Sequence, residues 1–229
     1  MGRGDLPALA GLDIADPPDV WRRLGFTVAP DGTCALGALT LRLLGPEAGE
    51  GIVGWTLRPG PAPLPARVDG IATTVATGEE PAAAAHPNGA LGVDHVVVRT
   101  PALQRTLTAL EAIGLEVRRV REASPDLHQA FLWAGDVLLE VAGPPEPTGD
   151  EPARLWGFVA VAPDLDRLTA LPGEPLGSVR DAVQPGRRIA TVRRELGSSV
   201  PLAFMTPHRP AGAAEERTSK RSSTAVETL

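Results

Sequence analysis

Five side chains in the middle of the chain have the types needed for ligand binding or acid–base chemistry: His95, Gln129, Phe131, Trp133 and Glu140. Alternate residues of a β-strand point to the same face of a sheet, so Gln129, Phe131 and Trp133 share one face if they belong to one strand. A hairpin loop with an even number of residues then brings Glu140 to that face, and His95 can lie beside it. A carboxylate and an imidazole together can take up and release protons. The spacing therefore predicts a polar and aromatic site on one face of a small sheet.

The secondary structure that positions these residues is predictable between residues 90 and 144. The β-branched run Val93 to Arg99 favours a strand. Thr100-Pro101 offers a helix N-cap followed by proline, and Gly114 stands where a helix needs a left-handed residue after its end. Gly135-Asp136 indicates a hairpin. The predicted order is β-α-β-β-β, with the last three strands at Leu115–Val120, His128–Trp133 and Val137–Val141.

This pattern resembles one module of the vicinal oxygen chelate superfamily. The residues that carry the resemblance are DHVVV followed by Thr-Pro and a helix, and the closing strand LLEVAGP. The superfamily includes glyoxalase I, extradiol dioxygenases and bleomycin-resistance proteins, and its βαβββ modules pair to form a cup. The resemblance implies up to two metal ligands per module, one from the first strand and one from the fourth. His95 and Glu140 occupy these two positions here.

Three other segments repeat parts of the pattern, and such internal repeats indicate the architecture of the whole chain. Residues 9–46 form a weaker copy with a strand at Phe26–Val28, and residues 153–207 form a clear copy. Residues 51–80 contain two strand-like stretches, but the proline-rich PGPAPLPA between them leaves no room for a helix. We therefore predict an α+β fold of repeated βαβββ modules that form a cup-shaped mixed sheet.

The repeats also predict how the chain is divided and which copies carry ligands. Residues 1–85 are predicted to form an abbreviated pair of modules, residues 88–208 a complete glyoxalase-like domain of two modules, and residues 209–229 a disordered tail. The positions equivalent to the two implied metal ligands carry no metal-binding side chain in the other copies. They are Gly11 and Arg42 in the first copy, and Gly157 and Ala203 in the last.

Two consecutive arginines open a strand of the last copy. Because side chains alternate along a strand, either Arg187 or Arg188 points into the cup, where it could bind a carboxylate or phosphate. The alternative is that both are solvated charges at a sheet edge. A buried Glu140 without metal needs a partner, and Arg42, Arg187 and Arg188 are the candidates.

Composition sets limits on partners and location. The net charge of −6 argues against a nucleic-acid surface, and no apolar run reaches the roughly 20 residues of a membrane span. The single Cys34 excludes an internal disulfide, and we predict that it is buried. His86, in His-Pro-Asn-Gly, is predicted to belong to a turn. We expect a cytoplasmic protein, and a homodimer is compatible with the sequence.

The sequence is compatible with three functions, each of which involves a small molecule as substrate or ligand. The first is an enzyme assisted by a divalent metal (Fe, Mn, Ni or Zn), a lyase, isomerase or dioxygenase with His95 and Glu140 as metal ligands and catalytic residues. The second, implied by the bleomycin-resistance branch, is a metal-free binder of a small, anionic or oxygen-rich molecule. Its ligand would contact Gln129, Phe131, Trp133, Arg187 and Arg188. The third is metal-free acid–base catalysis by Glu140 with His95.

Overall fold

The computed structural model describes residues 6–208, and their strands form two sheets. Sheet A draws its strands from residues 8–75 and sheet B draws its strands from residues 92–205. The predicted disordered tail lies outside the described residues. None of the helices in residues 6–208 is long and apolar enough to cross a membrane.

Sheet A contains six strands in the order β2-β3-β1-β4-β6-β5. Its strands are β1 (Ala8–Ile14), β2 (Thr33–Leu36), β3 (Leu39–Leu43), β4 (Ile52–Arg58), β5 (Arg67–Val68) and β6 (Ile71–Val75). The antiparallel pair β1 and β4 lies at the centre, and each of these strands is parallel to the last strand of its own module. The first and second modules therefore pair with each other.

Sheet B contains eight strands in the order β12-β13-β14-β11-β7-β10-β9-β8. Its strands are β7 (Gly92–Arg99), β8 (Val117–Ser124), β9 (Leu127–Ala134), β10 (Val137–Gly143), β11 (Arg154–Val161), β12 (Arg180–Asp181), β13 (Arg188–Thr191) and β14 (Leu202–Met205). Here β7 and β11 form the central antiparallel pair, and β10 and β14 run parallel to them. The predicted α+β architecture of repeated βαβββ modules is confirmed.

The described part of the four modules contains three α-helices: α1 (Pro18–Arg23), α2 (Leu103–Ala112) and α3 (Leu165–Thr169). Within residues 6–208, two short 3-10 helices lie at Pro46–Ala48 and Arg194–Leu196. The second module has no helix between β4 and β5, where the proline-rich segment runs instead. This agrees with the prediction that the proline-rich stretch within residues 51–80 leaves no room for a helix.

One continuous hydrophobic core joins the inner faces of the two sheets. Trp21 of α1 stacks on Phe158 of β11 with ring centroids 6.0 Å apart, and Phe26 lies 5.9 Å from Phe204 of β14. These aromatic rings of the first module are thus buried against the strands of the fourth. Each sheet is left with an outer face that points away from this core.

Polar contacts also tie the two halves together. Asp16, only 2% exposed, accepts hydrogen bonds from the indole N–H of Trp21 and from Ser198 and Ser199. Asp69, next to β5, accepts hydrogen bonds from Arg105 and Thr106 of α2. The helix of the third module therefore reaches the end of sheet A where the second module has no helix of its own.

The structure corrects several sequence-based boundaries, among them the start of α2 and the strand predicted at Phe26–Val28. Helix α2 begins at Leu103, two residues later than Thr100-Pro101 predicts, because the Thr100 hydroxyl accepts a hydrogen bond from the backbone N–H of Ala102 and fixes a turn there. The strand predicted at Phe26–Val28 is not formed. The Phe26 ring enters the core, and the Thr27 N–H donates to His86 Nδ1 instead of to a strand.

His86 lies in the predicted turn, and both of its ring nitrogens form hydrogen bonds within the protein. Its Nδ1 accepts from Thr27, and its Nε2 lies 2.8 Å from the carbonyl of Ala35, to which it donates. Burial lowers the pKa of His86, although the bond to Ala35 opposes this effect. A neutral imidazole with both nitrogens bonded is a structural group rather than a metal ligand.

Candidate functional site

The outer face of sheet B collects most of the side chains that the sequence singles out. His95 lies on β7, Gln129, Phe131 and Trp133 on β9, and Glu140 on β10. In the ladder, Glu140 is opposite Phe131, and Trp133 is opposite Leu138. The alternating partners Ala130, Leu132 and Leu139 belong to the inner core. The strand periodicity therefore brings the five residues to one face.

A β-bulge adds an acid to this face. Val93 pairs with Ala160 and His95 pairs with Val159, so Asp94 is an extra residue on β7 without a partner on β11. A bulge interrupts the alternation of side chains and turns the extra residue out of its expected direction. Asp94 consequently lies beside His95 instead of pointing into the core.

Asp94 holds His95 on one side and a buried arginine on the other. Its Oδ2 is 2.8 Å from His95 Nδ1, and its Oδ1 is 2.5 Å from Nη2 of Arg187, which is 2% exposed. Burial of Asp94 opposes ionisation, but the hydrogen bonds and charges of His95 and Arg187 outweigh it and lower the pKa of Asp94 to about 2. Asp94 is therefore a carboxylate at every ordinary pH.

The charge of Asp94 decides which nitrogen of His95 carries the proton. A carboxylate only accepts hydrogen bonds, so His95 Nδ1 must donate to it. In the neutral ring, Nε2 then carries a lone pair. No residue between 6 and 208 bonds to Nε2, and the side chain is 12% exposed. His95 thus presents a solvent-accessible acceptor on the outer face, in a fixed orientation.

Glu140 has a different partner from those the sequence suggested. The Gln129 side-chain amide donates to Glu140 Oε1, and Arg121 of β8 donates to the Gln129 carbonyl oxygen through Nε at 3.1 Å and through Nη2. Because the Gln129 carbonyl is occupied by Arg121, its amide nitrogen is the end that faces Glu140. The arrangement links the carboxylate to a cation through one amide.

The three arginines predicted as partners of Glu140 all bind other acids, so that prediction is wrong. Arg42 pairs with Asp13 in sheet A, Arg187 pairs with Asp94, and Arg188 pairs with Asp166 of α3. Arg42 cannot reach Glu140 because the first module pairs with the second rather than with the third.

The two consecutive arginines at the start of β13, Arg187 just before the strand and Arg188 as its first residue, point to opposite sides. Arg187 lies on the outer face, where its Nε also donates to the carbonyl of Thr206 at 2.6 Å and its Nη1 lies 3.2 Å from Nε2 of His208. Arg188, 42% exposed, points to the helix side. Arg187 is neutralised by Asp94, so it positions that acid more than it offers a free charge to a ligand.

The remainder of the outer face differs between the two modules of sheet B. On the fourth module it is apolar and consists of Val159, Ala203, Met205 and the adjoining Ile189. On the third module, Trp133 is 37% exposed and lines an opening of about 320 Å³ together with Leu6, Arg118 and Gly135. A ligand on this face would meet polar groups on one side and an apolar surface on the other.

The side-chain donors do not complete a resident metal centre. His95 is opposite Leu138 and Glu140 is opposite Val97, so the two candidate ligands lie diagonally on adjacent strands. The equivalent positions in the fourth module, Gly157 and Ala203, offer no ligand atom. No three His, Cys, Asp or Glu side chains between residues 6 and 208 form a group that could hold a metal ion. Protein metal centres usually take three or more side-chain ligands.

Sequence reasoning missed Asp94 and Arg121. Asp94 precedes His95 directly, so strand parity assigns it to the opposite face, and only the bulge reverses this. Arg121 lies on β8 opposite Gln129, and the predicted strand Leu115–Val120 ended one residue before it. An acid adjacent to a histidine was the one available signal.

Comparison with known proteins supports the fold. No protein-family model and no curated protein matches the chain. A solved xylose isomerase-like TIM barrel/4-hydroxyphenylpyruvate dioxygenase fusion protein matches 94% of the chain with 13% identity and a TM-score of 0.59, and the chain spans about half of it, 52%. Methylmalonyl-CoA epimerase from Mycobacterium tuberculosis matches 53% of the chain over 91% of its own length, with 13% identity and a TM-score of 0.41. The chain has the vicinal oxygen chelate fold that its βαβββ motif predicts.

Proposed function

We propose that the outer face of sheet B binds a small, anionic or oxygen-rich molecule and presents an acidic hydrogen of that molecule to His95 Nε2. The observation that carries this proposal is the contact between Asp94 and His95 Nδ1 at 2.8 Å, which leaves Nε2 as an accessible acceptor. Residues 88–208 would form the domain that carries the site. Within it, Gln129, Phe131 and Trp133 would line the ligand together with Glu140.

The neighbouring residues support proton uptake by His95. When Nε2 accepts a proton, the imidazole becomes a cation, and the Asp94 carboxylate next to Nδ1 stabilises that charge. Arg187 keeps Asp94 ionised, so Asp94 does not take the proton itself. Arg119 and Arg121 on β8 lie opposite Phe131 and Gln129, where they would attract an anionic ligand to the polar side of the face.

Ligand binding can be tested by the change in melting temperature with a panel of 2-oxoacids, 2-oxoaldehydes and catechols, followed by titration of each hit. We expect His95→Ala to weaken binding of a hit about tenfold, since the hydrogen bond from the ligand to His95 Nε2 is lost. The matched control is Asp13→Asn, which alters an acid on the outer face of sheet A and should leave the affinity unchanged. Equal affinity of the wild type and His95→Ala would disprove the role of His95.

A second candidate is a metal-assisted lyase, isomerase or dioxygenase. The contact between Asp94 and His95 favours it, because metal-binding histidines usually donate their other ring nitrogen to a carboxylate or carbonyl. His95 and Glu140 would then be two ligands, and the ligand molecule or a second copy of the chain would have to supply the rest.

Metal analysis separates the two candidates. Protein purified without chelator or histidine tag should contain less than about 0.1 equivalent of Mn, Fe, Ni or Zn if the site is a metal-free binder, because two ligands hold a metal weakly. A nearly stoichiometric metal that disappears in the His95→Ala/Glu140→Ala double variant would establish the metal-assisted enzyme instead.

A further inference from the structure

A second concave site lies at the opposite end of sheet B from His95. It is a groove of about 530 Å³ between the start of β11, the end of β13 and the segment before β4. His95 lies opposite Val159 of β11, and Arg154 on the groove wall is five residues before Val159 on the same strand. At the usual rise of a strand, His95 and Arg154 are therefore roughly 15 Å apart. We call it the arginine groove, after Arg154, Arg193 and Arg194 in its wall.

The arginine groove carries more positive charge than its own acids can neutralise. Arg154 and Arg194 have no hydrogen-bonded or ionic side-chain partner among residues 6–208. Arg193 is anchored by a bond from Nε to the carbonyl of Leu176 at 2.9 Å and has a weak ion pair with Glu174 at 3.8 Å. Glu50 is the acid in the wall. Unpaired guanidinium groups in a chain of net charge −6 indicate attraction for an anionic ligand.

An exposed tryptophan completes the groove. Trp156 is the extra residue of a β-bulge in β11, because Leu155 pairs with Val98 and Gly157 pairs with Val97. The bulge turns the Trp156 ring to the outside, where it is 36% exposed and lies 5.1 Å from the guanidinium carbon of Arg99. A large aromatic ring accessible from a cationic groove is suited to stacking on a flat ligand.

The walls of the groove are fixed by the contacts that hold the two halves of the chain together. Ser198 and Ser199 both bond to the buried Asp16, and the Ser199 hydroxyl accepts from the backbone N–H of Gly51 at 2.9 Å. A groove that is held open in the absence of ligand does not have to be ordered on binding, and this favours affinity.

We propose that the arginine groove binds a phosphorylated small molecule with a flat ring, of the nucleotide class. The phosphate groups would bind between Arg154, Arg193 and Arg194, since the planar guanidinium matches phosphate oxygens. The ring would stack on the face of Trp156 that Arg99 does not cover. This site is separate from the one proposed for His95, because Asp94, His95 and Glu140 are not among its wall residues.

The test uses ADP, pyrophosphate and adenosine as probes and the fluorescence of Trp156 as the readout. Trp133→Phe removes the other exposed tryptophan, since Trp21 and Trp55 are fully buried. We expect ADP to quench the fluorescence in a saturable manner with a Kd below about 1 mM. Pyrophosphate should compete with ADP without quenching, and adenosine alone should bind far more weakly than ADP.

Charge variants separate the groove from a general effect of net charge. Arg154→Ala/Arg194→Ala should weaken ADP binding at least about tenfold, because two charged contacts are removed. The matched control Arg167→Ala/Arg180→Ala removes two exposed arginines outside the groove and should leave the affinity unchanged, as should His95→Ala. The absence of saturable binding up to about 10 mM ADP, or an equal loss in the control, would overturn the proposal.

Discussion

The outer faces of the two sheets use the same strand topology and carry different chemistry. In sheet A, Asp13 and Arg42 form a two-bond ion pair at 2.5 and 2.6 Å that occupies both carboxylate oxygens. In sheet B, Asp94 divides its oxygens between Arg187 and His95. In the first arrangement, both oxygens of the acid already have a hydrogen-bond partner in the protein. The second leaves one nitrogen of the histidine available to a ligand, and this is why we place the proposed function on sheet B.

The central strands of the two sheets show how this difference arises. Both contain a bulge that adds one unpaired residue, Ala10 in β1 and Asp94 in β7. The same irregularity of the backbone therefore places a methyl group on one sheet and a carboxylate on the other. The repeated module therefore supplies the geometry, and the residue type at the bulge determines whether a polar centre forms.

Removing the aromatic contact between the two halves of the core should have the greatest effect on stability. Phe158→Ala deletes a ring that is 2% exposed and stacked on Trp21, so we expect a loss of about 4 kcal/mol in the free energy of unfolding. Because both sheets share one core, urea unfolding followed by tryptophan fluorescence and by circular dichroism should give coincident transitions. Two separate transitions in the wild type would show that the sheets are independent.

Loss of the arginine should destabilise the protein more in the Asp94–Arg187 ion pair than in the Asp13–Arg42 ion pair. Arg187→Ala leaves Asp94 without its buried cation, so we expect a loss of about 3 kcal/mol in the free energy of unfolding. Arg42→Ala should cost only about 1 kcal/mol, because Arg42 is 41% exposed and water can replace it. The measurement is urea denaturation of both variants.

The adjacent arginine is the control for the Arg187 prediction. Arg188 pairs with Asp166 on the surface, so Arg188→Ala should change the free energy of unfolding by less than about 0.5 kcal/mol. Similar losses for Arg187→Ala and Arg188→Ala would mean that burial does not distinguish the two positions.

The pH dependence of stability tests the contacts of Asp94 in sheet B. The pKa of Asp94 is lowered from 3.8 to about 2 in the folded protein, so the native state holds its proton less tightly than the unfolded state. Asp94 therefore contributes about 2 kcal/mol of stability above pH 4, and this contribution is lost as the pH falls from 4 to 2. Asp94→Asn should be less stable at pH 6 and should lose less stability than the wild type over that pH range. If the stability of the two proteins depended equally on pH, the lowered pKa of Asp94 would be contradicted.

Much of the fold could be predicted because local chemistry and tertiary structure agree. The β-branched run at Val93, the glycine at position 114 and the hairpin at Gly135-Asp136 all lie in the predicted elements. The prediction failed at Phe26, where an apolar residue in a strand-like run is drawn into the core between two modules. That contact depends on a partner more than 170 positions away, Phe204, and no local pattern reveals it.

The candidate site could be predicted less completely than the fold. Strand parity brings Gln129, Phe131 and Glu140 to one face, because an uninterrupted ladder preserves the period of two. It gives the wrong face for Asp94 and Trp156, since each is an extra residue in a bulge. Bulges depend on how two strands that are far apart in sequence fit together. The metal ligation expected of His95 and Glu140 stays a prediction.

The contact of α2 with Asp69 limits how the chain could be divided into separate proteins. A second module without a helix relies on the helix of the third module, through Arg105 and Thr106, to complete its surroundings. Once such a dependence exists, a gene that encodes residues 1–85 alone would yield a product that lacks this support. The shared helix therefore favours one continuous chain, because a split into two separate proteins would remove the contacts between Asp69 and α2.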